Sequence, residues 1–227
     1  MADEPRNADT WLIVPPSKGA RVVRFVGAHA LGMFPNIVCV DDGSSDHSVN
    51  EALSGGAVVV AHPINLGQGA ALQTGIDFAL SQPGSQYFVT FDSDGQHRAE
   101  DADRMVQRLR GEPLDIVIGS RFLDGRTKPG ALKRIVLRAA VWFERVTTGV
   151  KLTDAHNGLR ALNRVAAEKI RIRQNRLAHA SEIVNQVGKR HLRYAEEPVH
   201  IIYTDYSRAK GQSLWNSVNI LSELFVK

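Results

Sequence analysis

Five short apolar runs, separated by stretches of helical periodicity, constrain this chain more than any other feature. Trp11-Leu12-Ile13-Val14, Ile37-Val38-Cys39-Val40, Ala57-Val58-Val59-Val60, Tyr87 to Phe91 and Ile116-Val117-Ile118 are continuously apolar rather than alternating. Strands of that character are covered on both faces, as in a parallel sheet. Helical patterns lie between them at about 20–33, 47–54, 68–81 and 100–110. This βα alternation predicts an α/β fold: a doubly wound, mostly parallel sheet with helices on both faces and ligands at the carboxyl ends of the strands.

The second half is less regular. A basic amphipathic helix is expected over 131–148, with Trp142 and Phe143 on its apolar side and Lys133, Arg134, Arg138 and Arg145 among its polar residues. A helix fits 177–189 and a strand fits 192–203. A glycine-containing loop spans Tyr206 to Ser213, and a final helix follows from about 214 to 227, suited to packing or to a homodimer contact. Neither an internal repeat nor a low-complexity linker interrupts the chain. The expected organisation is a polar, flexible residue 1–9 segment followed by one domain over 10–227.

Composition narrows the setting. Among 227 residues Cys39 is the only cysteine, so no internal disulfide framework exists, which fits a reducing cytoplasm. No stretch approaches the length needed to span a bilayer. Charge is uneven: residues 1–120 carry 8 Lys and Arg against 15 Asp and Glu, and residues 121–227 carry 20 against 9. An acidic half suited to holding metal thus precedes a basic half suited to phosphates or an anionic surface. The basic residues have no interleaved aromatic platform, so nucleic acid is not the expected partner.

The chemistry concentrates at strand ends. Asp92-Ser93-Asp94 follows the fourth run, and alternate residues of a strand point the same way, so two carboxylates converge there. A hard divalent cation, Mg²⁺ or Mn²⁺, is the natural occupant of such a pair and leaves positions open for phosphate oxygens. Asp41-Asp42-Gly43-Ser44 ends the second run on the same rim. Gly67-Gln68-Gly69 lacks the third glycine of a dinucleotide fingerprint, since Leu72 stands in its place, and reads as a tight turn into a helix.

Val40-Asp41-Asp42-Gly43-Ser44-Ser45-Asp46, Asn65-Leu66-Gly67-Gln68-Gly69, Phe91-Asp92-Ser93-Asp94-Gly95-Gln96-His97, Gly119-Ser120-Arg121-Phe122 and Asp154-Ala155-His156-Asn157-Gly158-Leu159-Arg160 together resemble the family-two glycosyltransferases of GT-A fold. Within them the chain is most similar to the dolichyl- and polyprenyl-phosphate sugar synthases and their bacterial relatives. The resemblance implies a nucleotide-sugar half over about 10–120 and an acceptor half over about 121–213. It places Asp41, Asp42 and Gly43 at the donor's base and ribose, with Pro15, Asn65, Gly67 and Gly69 beside the donor. Asp92, Ser93 and Asp94 would meet diphosphate and metal, with Gln96, or alternatively His97, as a further ligand or a supporting group. Arg121 would clamp phosphate, and Arg160 would do likewise or brace the Asp154 loop.

The reaction implied is inverting displacement at an anomeric carbon, with loss of a nucleoside diphosphate (UDP or GDP). A hydroxyl acceptor on a glycan requires a general base, for which Asp154 and His156 are the candidates. A polyprenyl-phosphate acceptor is already ionised and needs cations instead, for which Arg134, Lys210 and the loop to Ser213 are placed. That acceptor implies peripheral contact with the inner face of a membrane, where the 131–148 helix has interfacial character. One departure stands out. The family's first strand runs into Pro-x-Tyr-Asn-Glu; this chain has Pro15-Pro16-Ser17-Lys18-Gly19, which leaves Lys18 to meet a donor phosphate in a working enzyme and is the main support for the alternative, a degenerate, non-catalytic nucleotide-binding relative.

Overall fold

All five apolar runs are strands in the computed structural model, which describes residues 6–15, 30–43, 48–92, 95–124, 145–146, 148–155, 157–175 and 178–202. β1 (Thr10–Val14), β2 (Asn36–Asp41), β3 (Val58–Ala61), β4 (Tyr87–Thr90) and β5 (Ile116–Ser120) come first in the chain. Among them lie α1 (Ser48–Ser54), α2 (Gln68–Ser81) and α3 (Ala99–Gly111). β6 (Arg160–Asn163), α4 (Arg164–Lys169), α5 (Ala178–Lys189) and β7 (Tyr194–Pro198) follow. The described strands form one seven-stranded sheet in the order β3-β2-β1-β4-β6-β5-β7. Every pairing is parallel except the two made by β6.

The period of two along each strand divides the core into two layers. Leu12, Val14, Val89, Val117 and Ala161 face one side with Met105 and Val106 of α3. Ile13, Phe88, Ile116, Ile118 and Leu162 face the other, against Leu72 and Ile76 of α2 and Ile183 and Val184 of α5. Each large apolar side chain so buried contributes about 2 kcal/mol relative to exposure. The strand around Val58 is the exception to the expected two-sided cover. β3 is the sheet edge, and Val58 remains 41% exposed.

Four features depart from sequence expectation. β6 is only Arg-Ala-Leu-Asn, and its strand character is imposed by neighbours on both sides: Thr90 and Ile118 both pair with Arg160. α4 follows at once, because the Asn163 side chain accepts the Ala166 amide at 2.8 Å and caps it. The strand expected over 192–203 ends at Pro198; past it, the His200 amide leaves the ladder for the Asp101 carboxylate. The N-terminal stretch expected to be flexible is held from Asn7 onward. Asn7 is buried and donates to the Met33 carbonyl, while the Asp9 carbonyl accepts from Gln86 and Tyr87.

The two halves of the sheet wind in opposite directions from the β1–β4 boundary, so the ligand crevice of a doubly wound sheet falls outside the carboxyl ends of β1, β2 and β4. Because β6 is antiparallel, the loop that leads into it reaches that same rim. No described helix is long and apolar enough to cross a membrane. Most of the helices expected over 20–33 and 131–148, and all of the 206–213 loop and final helix, lie outside the described residues.

Candidate active site

Asp92 stands two residues beyond β4, and its surroundings keep it ionised. Its side chain is 30% exposed, and its Oδ2 lies 3.3 Å from Nε2 of His97. Burial pushes its carboxyl up, but the His97 hydrogen bond and charge, with the charges of Arg160 and His179, hold it below the ordinary carboxylate value. His97 is itself nearly buried and lies edge-on to Phe91, with ring centroids 5.7 Å apart. Its Nδ1 has no hydrogen-bond partner among the described residues.

The loop into β6 is pressed against Asp92. Thr90 Oγ1 donates to the Gly158 carbonyl at 2.6 Å, tying the end of β4 to the start of β6. A side chain at Gly158 would meet Asp92 Oδ2 at 2.0 Å and its Cγ at 2.7 Å, so glycine is the residue this approach permits. Arg160 is 1% exposed and donates from Nη2 to the Ala155 carbonyl at 3.0 Å. Of the two roles expected for it, this geometry supports bracing of the 154–158 loop.

Asp154 and Arg121 come together as a forked pair. Arg121 Nε lies 2.6 Å from Asp154 Oδ2 and Nη2 lies 3.3 Å from Oδ1, and the Arg121 amide also donates to Oδ2. Asp154 is 4% exposed, and its own amide, with that of Thr153, donates to Glu196 of β7. Both oxygens of this buried carboxylate are thus turned to Arg121 rather than to open solvent.

Asp42 is also turned inward. Its Oδ1 accepts the Leu66 amide at 2.7 Å and lies 2.8 Å from His62 Nδ1; its Oδ2 accepts the Gly67 amide at 2.7 Å. Burial pushes its carboxyl up, and the bonds from His62, Leu66 and Gly67 outweigh that and hold it low. Asp41 ends β2 beside it, half-buried, and Asn65 lies exposed on the facing loop. Gly67 and Gly69 lie against the 174–175 segment: a Cβ at Gly69 would meet the Gln174 carbonyl at 1.9 Å. Asn175 donates to the Leu66 carbonyl and accepts the Ala70 amide, capping α2 from more than a hundred residues away. Pro15 is buried at the end of β1.

Asp41, Asp42, Gly43, Asp92, Gln96, Arg121, Asp154 and Arg160 are therefore gathered at or beneath one rim. Lys18, Ser93, Asp94, Arg134, His156, Lys210 and Ser213 lie outside the described residues. Sequence reasoning passed over His62, Asn175 and His179. The last is a buried residue of α5 whose charge acts on Asp92, and nothing in its local sequence marks it. An ionised, partly exposed oxygen donor at Asp92 fits a hard divalent cation of the kind expected there. The described residues alone do not assemble three such ligands.

Residues 28–171 match the sequence profile of glycosyl transferase family 2. An uncharacterised protein of Methanocaldococcus jannaschii is 35% identical over 198 residues, covering 86% of this chain and 81% of that protein. The UDP-N-acetylglucosamine–dolichyl-phosphate N-acetylglucosaminyltransferase of Methanococcus voltae is 27% identical, covering 95% and 94%. Among solved structures, glucosyl-3-phosphoglycerate synthase from Mycobacterium tuberculosis, in complex with Mn²⁺, UDP and glucosyl-3-phosphoglycerate, superposes with a TM-score of 0.67. It is 17% identical, covering 89% of this chain and 75% of that one. A matched profile over more than half the chain, on a sheet of this topology, makes this protein a member of glycosyl transferase family 2 and a glycosyltransferase of GT-A fold.

Proposed function

We propose that this enzyme transfers a hexose, with inversion, from a nucleoside-diphosphate sugar (UDP or GDP) to a polyprenyl phosphate. The observation that carries the acceptor is the state of Asp154. Of the two bases expected for a hydroxyl acceptor, Asp154 and His156, the carboxylate is buried and forked by Arg121. A phosphate acceptor arrives ionised and needs no base, so this site suits it. In the step, an acceptor phosphate oxygen bonds to the anomeric carbon as the bond from that carbon to the diphosphate oxygen breaks. The bonding pair leaves with the nucleoside diphosphate.

The chain's own residues divide the work. The Asp41–Gly43 turn and the loop bearing Asn65 flank the nucleoside. Arg121 and the basic second half offset phosphate charge. Asp92, with Asp94 and Gln96, would hold Mg²⁺ or Mn²⁺, which when bound neutralises the departing diphosphate. Relatives support the class of acceptor: besides the Methanococcus voltae enzyme, a polyprenol monophosphomannose synthase of Mycolicibacterium smegmatis is 34% identical over 60% of this chain. A lipid acceptor also calls for peripheral contact with a membrane surface.

The test is release of free nucleoside diphosphate from UDP- and GDP-sugars, with polyprenyl phosphate or with oligosaccharide, in Mn²⁺ or in chelator. Release that requires both the lipid phosphate and the cation is expected. Release with oligosaccharide alone would transfer the assignment to a hydroxyl acceptor. Release undiminished by chelator would remove the metal from the mechanism.

A further inference from the structure

Asp42 has little capacity left for a ligand. A carboxylate offers about four acceptor directions, and three are filled by Leu66 N–H, Gly67 N–H and His62. Its side chain is 2% exposed. What Asp42 does instead is join two loops of the rim. The turn after β2 and the loop after β3 are pressed together: a Cβ at Gly43 would come within 3.1 Å of the Asn65 amide nitrogen.

His62 controls where that carboxylate points. The carboxylate only accepts, so the ring hydrogen on Nδ1 is directed at it. Nε2 lies 2.9 Å from Thr74 Oγ1 on α2, which fixes the ring from its far side. The chain Thr74–His62–Asp42 thus runs from α2 to two backbone amides of the rim loop. Leu66 of that loop is 43% exposed, next to the exposed Asn65.

We propose that His62 is a positioning residue of the donor pocket. By aiming Asp42 at the Leu66 and Gly67 amides, it sets the wall against which the nucleoside of the donor lies. Asp42 acts through that wall and does not touch the base. This rests on the reading of the rim as a nucleoside-diphosphate-sugar site, and it reassigns the second acidic residue of the Asp41-Asp42 pair.

Two substitutions separate positioning from bulk. Asparagine at 62 carries an amide N–H where the ring has Nδ1; glutamine carries one where the ring has Nε2. Both remove the ring. The measurements are dissociation constants for UDP and GDP with Mn²⁺, KM and kcat for the sugar donor, and amide exchange at Leu66 and Gly67. A hydrogen bond to a charged group is worth roughly tenfold in an equilibrium constant. His62→Gln and His62→Ala should therefore weaken nucleotide binding and raise donor KM by about tenfold, with little change in kcat. They should also speed exchange at both amides. His62→Asn should return affinity, KM and exchange towards wild type. Equal behaviour of the Asn and Gln variants, or unchanged affinity in His62→Ala, overturns the proposal. If the wild-type protein binds neither nucleotide, the donor-site reading fails by itself and the positioning of the donor wall fails with it. The exchange data would then report only on the Asp42 clasp.

Discussion

Replacing Gly158 with alanine gives the sharpest test of the site. An added Cβ would stand 2.0 Å from Asp92 Oδ2, 2.7 Å from its Cγ and 3.0 Å from its Oδ1, whereas real Cβ contacts do not fall below 3.0 Å. Rotating the carboxylate cannot relieve this, because Cγ is itself too near. The carboxylate must therefore shift, Oδ2 by about 1 Å, which disturbs its 3.3 Å contact with His97. A displacement of that size costs about 10²-fold in rate when the group positions a reacting species. The fold should survive: losing the Asp92–His97 bond removes about 1–2 kcal/mol, a drop of several degrees in midpoint for a protein of this length. Thermal unfolding, calorimetric titration of UDP with Mn²⁺, and kcat would be measured on the same preparation. A folded Gly158→Ala variant with cation-dependent nucleotide affinity and kcat within twofold of wild type would refute the placement of Asp92 at the reaction centre.

Two further outcomes are expected. Asp154→Asn should leave kcat with polyprenyl phosphate within about tenfold of wild type, whereas loss of a working general base would cost 10²–10⁴-fold; a loss in that range would restore Asp154 as base. Asp115 is held down to about 2 by the Arg193 guanidinium, whose Nε and Nη2 lie 3.0 and 2.8 Å from its oxygens. A depressed carboxylate adds stability above its unfolded value and loses it as pH falls through the folded one. Wild type should therefore lose about 2 kcal/mol between about pH 4.5 and pH 2 that Asp115→Asn does not lose. Parallel urea-midpoint curves for the two proteins across that window would contradict this.

Much of the frame was legible because its signals are local. The bounds of α2 follow from an apolar period and a glycine turn that are contiguous in sequence, and the strands of the first half are uninterrupted apolar runs. β6 was not legible, since a buried arginine and a terminal asparagine argue against a strand until Thr90 and Ile118 are seen on either side. The rim itself was legible from acidic residues at strand ends. The direction each carboxylate faces was not. Asp42 is turned by amides 24 and 25 residues onward, Asp154 by an arginine 33 residues back, and Asn175 reaches a loop 109 residues away. No period in the sequence relates such pairs.

The reversed direction of β6 has a consequence for how such an enzyme changes its acceptor. Since Ile118 pairs with Arg160, the chain between β5 and β6 departs and returns at neighbouring points of one rim. That excursion is a closed loop with fixed ends, and doubling the length of such a loop costs only about 0.6 kcal/mol in closure entropy. The returning end is anchored, with Val150, Leu152 and Ala155 in the core and Thr153 and Asp154 donating to Glu196, so an insertion is best tolerated directly after the exposed Leu123 and Asp124. On the proposed reading, donor and acceptor specificity would be separately heritable: one carried by the rim of the sheet, the other by the span between two adjacent strands.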